Sequence, residues 1–411
     1  MTDRFMWRRD TLILRFSLFL FPQRRYSLKV NGKLLTFSWM MCHILWLTLG
    51  LSVSGCSNNS NLPATATMPA AILTPPWPTA TTTPAVTPAP TLAPTPTAAL
   101  TPLAERVFLA PMPHEYQKLN NCGPVALAMA LSYYGVERTQ FDVAPLVKGY
   151  DKDRNVSPEE MVAYLTKVGL QGKARINGDT AVLMTLLSNG IPVIVGQWLE
   201  RPHDGVLVGH YRVVRGYDQT AGTIIVNDPY TGPEVRFSYA LFEELWRPFN
   251  RSYILVYLPE QEAVVRAILG ADWEDEAMVQ QALASAQREV EEIGDSYAWF
   301  NLGDDYLAIG EYRKAADAYG RALEMGFPSH FLWYHHGPLE AYNALREYQK
   351  VLSLSGEVLA QAPDIEEIRY QRGLAYLGLG EGEKAKTEFE LAVRYNPNYT
   401  MAIQALAGLG E

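Results

Sequence analysis

Apolar and polar positions divide the chain into four stretches with different periods. An apolar run from about Leu34 to Val53 follows a basic N-terminal flank, and residues 57–104 show no period at all. From 106 to 258 the period is mixed. Pro124–Tyr134 reads as a helix with proline in its first turn and Gly135 as its stop. Ser157-Pro158-Glu159-Glu160 opens a second helix that ends near Gly169, and Asp179–Ser188 reads as a third. The spacing then becomes that of strands: Pro192–Trp198, His210–Tyr217 and Thr223–Asp228, the last two joined as a hairpin by the turn Asp218–Gly222. A short helix around Tyr239–Trp246 and a last strand, Tyr253–Leu258, follow. Helices first and antiparallel strands later predict an α+β domain over 106–260.

Residues 261–411 return to helical spacing and repeat themselves. Trp299, Leu302, Gly303, Tyr306, Gly310, Ala315, Tyr319, Ala322 and Pro328 form one unit. Tyr342, Leu345, Tyr348, Val351, Val358 and Pro363 form a second, and Gly373, Tyr376, Gly380, Ala385, Phe389, Ala392 and Pro397 a third. The closing prolines recur at intervals of 35 and 34 residues. The pattern resembles the tetratricopeptide repeat, a helix pair in which small residues let the helices approach and aromatics fill the gap. Residues 262–292 read as a degenerate leading repeat or a cap. An all-α repeat domain over 261–411 just reaches the three units needed for a continuous core.

Composition alters the picture mainly at the N-terminal end. Residues 1–55 carry eight Lys/Arg and two Asp/Glu, so the rest of the chain is more acidic than the overall formal charge of −9. An acidic body argues against nucleic acid as a partner. The apolar run ends Leu51-Ser52-Val53-Ser54-Gly55-Cys56, which resembles a bacterial lipobox: residues 1–56 read as a signal segment whose Cys56 is lipidated and becomes the new N-terminus. An uncleaved membrane anchor is the rival reading. Either way the body faces outward, held to the membrane on its extracytoplasmic side. A second apolar patch, Leu12–Phe21, points to a translation start downstream of Met1. Residues 57–105 hold eleven prolines and, up to Ala104, no charge, and so predict a disordered, extended Pro/Thr/Ala linker.

The chain has three cysteines, and with Cys42 and Cys56 in the leader, Cys122 stands alone in the body. A disulfide framework is thereby excluded, and a reactive thiol has to be considered. Cys122 lies at the tip of the Pro124 helix, where unpaired N–H groups favour a thiolate. A thiol nucleophile needs a base, and the base needs an orienting group. His210 opens one strand of the hairpin and Asp228 closes the other, so the two can sit side by side. His114 and His203 are rival bases, and Asp218 and Asn227 rival orienters. Gln117, five residues before the thiol, could aim its amide at a developing oxyanion. Trp198, Tyr211 and Tyr230 could line a cleft, though aromatic core packing is the more frequent reason for such residues. His335-His336 has no third metal ligand at suitable spacing and reads as a solvated helix start. No metal or cofactor signature is present.

Gln117…Cys122-Gly123-Pro124, Gly209-His210-Tyr211 and Val226-Asn227-Asp228-Pro229-Tyr230 resemble the C39-like cysteine peptidases, which are papain-like in fold. The resemblance covers about residues 112–258. It implies Cys122 as nucleophile, His210 as general base, Asp228 as orienter and Gln117 as oxyanion donor. The best-known members are leader peptidases fused to exporters and cut after double glycine. The six-helix membrane domain and nucleotide loop of those exporters are not found here, so that specificity is not carried over. The expectation is a lipid-anchored, extracytoplasmic cysteine peptidase acting on a peptide or protein, its repeats binding a protein partner. The alternatives are a silent peptide-binding scaffold and an acyl transferase with the same thiol chemistry.

Overall fold

The computed structural model of the chain describes residues 25–30, 33–38, 99–199, 208–328 and 330–410. Strands β1 (Arg25–Val30) and β2 (Lys33–Ser38) pair antiparallel within a unit that ends at Ala89. The readings that fall on Cys56, on the linker up to residue 98 and on His203 lie outside the described residues. Among the described residues, no helix is long and apolar enough to cross a membrane.

The second unit, from Pro90 on, contains both the sheet and the helical repeats. In chain order it opens with β3 (Arg106–Phe108), α1 (Cys122–Tyr133), α2 (Gln140–Val147) and α3 (Pro158–Lys167). Next come β4 (Gln171–Arg175), α4 (Thr180–Ser188), β5 (Val193–Trp198), β6 (Gly209–Asp218), β7 (Thr223–Asp228), β8 (Gly232–Ser238), α5 (Tyr239–Trp246) and β9 (Tyr253–Tyr257). Seven strands form one sheet in the order β4-β9-β5-β6-β7-β8, with β3 added on β6. All its pairings are antiparallel. The α+β expectation therefore holds.

Local chemistry explains the helix ends. Ser157 caps α3 by accepting from Glu160 N at 3.2 Å while Glu160 Oε2 accepts from Ser157 N at 2.9 Å, a reciprocal capping box. Asp179 caps α4 through Val182 N at 2.7 Å. Helix α1 is apolar on all sides and buried from Gly123 to Leu131, as suits a helix laid against the sheet. It stops at Gly135, whose φ of +76° glycine adopts without strain.

The helical region runs α6 (Glu262–Leu269), α7 (Asp275–Glu292), α8 (Ser296–Ala308), α9 (Tyr312–Met325), α10 (Gly337–Ala344), α11 (Tyr348–Gln361), α12 (Glu366–Gly378), α13 (Gly382–Tyr395) and α14 (Thr400–Leu409). In the α8/α9 pair a Cβ on Gly303 would sit 2.6 Å from the Tyr319 ring, and in α12/α13 a Cβ on Gly373 would sit 2.4 Å from the Phe389 ring. Small residue against aromatic is thus the physical content of the repeat. One buried cluster runs from the sheet (Ile194, Val213, Leu255) through Trp198 into the helices (Phe300, Tyr319, Phe331). Polar contacts cross the same seam: Arg247 Nη1 donates to Asp295 at 3.0 Å, and Asn250 Nδ2 to Asp305 Oδ1 at 2.8 Å.

Candidate active site

Cys122 is the first residue of α1, one step inside the helix rather than ahead of it, and is partly exposed. A buried polar chain holds that end of the helix. Asn121 donates to Gln140 Oε1 at 2.9 Å and accepts from Lys148 Nζ at 3.0 Å, and Gln140 donates to Glu115 Oε1 at 2.8 Å. Both partners of Asn121 come from α2 and the residue that caps its end, so α2 fixes the thiol's backbone.

His210 and Asp228 lie where the hairpin brings the start of β6 beside the end of β7. His210 is 4% exposed and Asp228 0%. His210 Nε2 lies 2.8 Å from Asp228 Oδ1, and the His210 ring is close enough to the Cys122 thiol for each to act on the other's pKa. With Nε2 engaged by the carboxylate, Nδ1 is the nitrogen left to face sulfur. Asp228 is heavily tied. Oδ1 also accepts from Tyr230 N at 2.7 Å and Thr231 N at 3.1 Å, and Oδ2 accepts from Arg212 Nε at 2.7 Å.

The charges follow from these contacts. Burial disfavours an Asp228 carboxylate, but the His210 hydrogen bond, the positive charges of His210 and Arg212 and the Tyr230 N–H hold it well below the usual carboxylate range. Burial likewise disfavours a His210 cation, yet its bonds to Asp228 and Cys122 raise its pKa above the ordinary imidazole value. For Cys122 burial again acts upward. The His210 hydrogen bond and charge, then the N–H groups of Tyr211 and Gly123, outweigh it and hold the thiol below its ordinary value. Both shifts run toward a thiolate–imidazolium pair.

The rival residues are engaged elsewhere. His114 Nε2 meets the backbone oxygen of Asp228 at 2.8 Å. Asn227 accepts from Arg215 Nη1 at 3.1 Å and donates to Met112 O at 3.1 Å. Asp218 pairs with Arg106 at 2.8 Å at the far end of β6. Gln117 is joined to the loop after Asp228, its N–H donating to Pro229 O at 2.8 Å, and its buried Oε1 has no hydrogen-bond partner among the described residues. Trp198 is buried, edge-on to Phe249 at 5.0 Å. Tyr211 packs under Gly123 and donates to Val156 O at 3.0 Å, while Tyr230 is exposed.

One expectation is corrected. His335-His336 is a helix start only partly open to solvent: His336 precedes α10, both residues are half-buried, the His335 ring stacks on Phe331 at 4.2 Å, and burial pushes the two pKa values down to about 3 and about 4. Among the described residues, no group of three or more His, Cys, Asp or Glu side chains is arranged to hold a metal ion.

Sequence reasoning missed Arg212. It is 0% exposed, and besides Asp228 it donates through Nη1 to Gln197 Oε1 at 3.1 Å and Trp198 O at 3.0 Å. The signal was available, since an arginine between Tyr211 and Val213 in a core strand must find a buried anion.

Comparison with known proteins now has a geometry to meet. Residues 110–254 match the family model described as the Peptidase_C39 like family, and residues 296–325 and 366–399 each match a tetratricopeptide repeat. No curated protein matches the chain. Among solved structures, a C39-like peptidase from Bacillus anthracis is 18% identical, covering 37% of this chain and 98% of its own at a TM-score of 0.31. The peptidase domain of Streptococcus ComA, a bi-functional ABC transporter of quorum sensing, is 20% identical over 35% of this chain and 96% of its own, with a TM-score of 0.30. MamA from Desulfovibrio magneticus RS-1 is 23% identical over 33% of this chain and 76% of its own, also at 0.30. The sheet-containing part of this chain is thus a domain of the C39-like peptidase family, joined to tetratricopeptide repeats.

Proposed function

We propose that this chain is a cysteine peptidase that hydrolyses peptide bonds outside the cytoplasm, tethered by a lipid on Cys56, with its repeats holding a protein partner or substrate. The observation that carries the reading is the buried His210–Asp228 hydrogen bond, backed by Arg212 and set beside a Cys122 thiol that the imidazole draws below its ordinary pKa. The surrounding charges act in the direction of an ionised nucleophile before substrate arrives.

In this reading the Cys122 thiolate attacks the scissile carbonyl carbon. Oxyanion charge gathers at the N-terminus of α1 and is met by the backbone N–H of Cys122 and the Gln117 amide. The Gln117 backbone, tied to Pro229 just beyond Asp228, keeps that side chain on the loop next to the site. The tetrahedral adduct collapses with breakage of the C–N bond. His210 gives its proton to the departing amine, leaving a thioester on Cys122. Neutral His210 then takes a proton from water, whose oxygen attacks the thioester carbonyl. The acid leaves, and thiolate and imidazolium are restored. Asp228 holds the ring in one tautomer throughout and stabilises its cationic form.

The test is cleavage of an unstructured peptide library by the full-length chain and by Cys122→Ala. Wild type is expected to cut and Cys122→Ala to fall to background with an unchanged melting temperature. Full activity in the variant overturns the nucleophile, and no cleavage by wild type favours the silent scaffold. Predominant capture of the acyl group by added glycinamide in place of water identifies a transferase. The lipid tether is checked separately: palmitate labelling is expected to disappear in Cys56→Ser.

A further inference from the structure

The family match ends at residue 254, yet a side chain from well beyond it stands at the candidate site. Tyr334 lies between the two matched repeats, in the segment from α9 to α10. Its ring presses on Gly209, the residue before His210: a Cβ there would fall 2.9 to 3.1 Å from three ring atoms. The Tyr334 hydroxyl is close enough to the Gly209 N–H and to Cys122 to feel both. Gly209 faces Trp198 across β5–β6, and the adjacent Leu199 N donates to Val208 O at 2.8 Å. Antiparallel alternation therefore turns the Gly209 N–H away from β5. On that side the pairing with β7 begins only at Val213. Such an unpaired edge donor beside a nucleophile is what an extended peptide would pair with, and here a phenol from the repeat region covers it.

The segment is held firmly. Trp333 lies against the Arg154 guanidinium at 4.8 Å, and Arg154 pairs with Asp364 at 3.2 Å. Tyr334 itself is edge-on to Trp198 at 6.5 Å and tilted against Phe249 at 6.2 Å.

We infer that Tyr334 is a specificity-determining residue: the repeat region builds one wall of the peptidase cleft and limits the bulk of the substrate residue that lies against Gly209. The inference rests on the peptidase reading for its meaning, but the wall can be tested without turnover. Full-length wild type, Tyr334→Phe and Tyr334→Ala are alkylated with N-methylmaleimide and with the bulkier N-pyrenylmaleimide, and modification of Cys122 is followed by the mass of its tryptic peptide. The ratio of bulky to small rate constants is expected to rise about tenfold or more in Tyr334→Ala and to stay near wild type in Tyr334→Phe. In parallel, the variant is expected to cut peptide-library members with larger side chains than wild type accepts. A maleimide ratio within about twofold of wild type overturns the inference. If Tyr334→Ala does not fold, Tyr334→Leu decides by the same ratio. Absence of cleavage by wild type sinks the peptidase reading alone, because the ratio still reports the wall.

Discussion

Carboxylates in the sheet and in the repeats have pKa values displaced in opposite directions. Burial stands first among the influences on both groups and opposes ionisation in both. Asp228 in the sheet overcomes it with His210, Arg212 and backbone N–H groups, and stays ionised. In the repeats Asp304 has, among the described residues, the Tyr319 hydroxyl at 2.7 Å as its one hydrogen-bond partner and is pushed up to about 7. Asp305 has Asn250 as its one side-chain partner among the described residues and is raised well above the usual range. Glu366 is bonded by Asn396 at 2.9 Å and is pushed up to about 8 by burial and by Asp153. The lesson is that burial alone makes a neutral acid, which can serve as a polar joint. A buried charge has to be built with partners, and the chain does so next to the thiol.

The contrast can be broken at its strongest point first. Asp228→Ala leaves Arg212 buried without its anion, so a loss of about 3–5 kcal/mol in urea unfolding is expected. kcat/KM is expected to fall by about 10²–10⁴, because His210 loses its orienting partner. A variant as stable as wild type would show that the ion pair is not what holds this end of the sheet. Gln117→Ala comes next: kcat is expected to drop about a hundredfold, with KM and stability little changed. A change in KM alone would make Gln117 a binding group.

The smallest effect sharpens the contrast through its sign. Between the ordinary carboxylate value and about 8, native Glu366 binds more protons than the unfolded chain. Stability therefore drains away as pH rises through that window. Glu366→Gln is expected to raise the melting temperature by about 2–4 °C at pH 8 and by less at pH 5. Asp228 runs the other way: its stabilisation is full above the unfolded carboxylate pKa and is lost as pH falls below it. Equal effects of Glu366→Gln at both pH values would remove the repeat half of the contrast.

What could be read from sequence follows from how local each signal is. Helix α1 and strands β5, β6, β7 and β9 were legible because long apolar runs end at Gly, Pro and turn residues. Helix α2 was not, since Pro145 interrupts it, and β4 was hidden by its polar sequence Gln-Gly-Lys-Ala-Arg at a sheet edge. β3 is only three residues long, and β8 starts on Gly232-Pro233. The repeat matches fall on residues 296–325 and 366–399, the first and third units. At the site, Cys122, His210 and Asp228 stood out because each sits at the end of a legible element. Arg212 was read as part of a strand, since periodicity does not ask what a buried charge must meet. Tyr334 had no local signal at all: its contact with Gly209 spans more than a hundred residues and depends on how the repeats dock on the sheet.

The most direct measurement is the pH dependence of Cys122 alkylation by iodoacetamide in the full-length chain, read on its tryptic peptide, for wild type and His210→Ala. A midpoint below the ordinary thiol value of 9.0 is expected for wild type, with the midpoint moving up when His210 is removed. A wild-type midpoint at or above that value, unmoved by His210→Ala, would contradict a thiolate held by the imidazole.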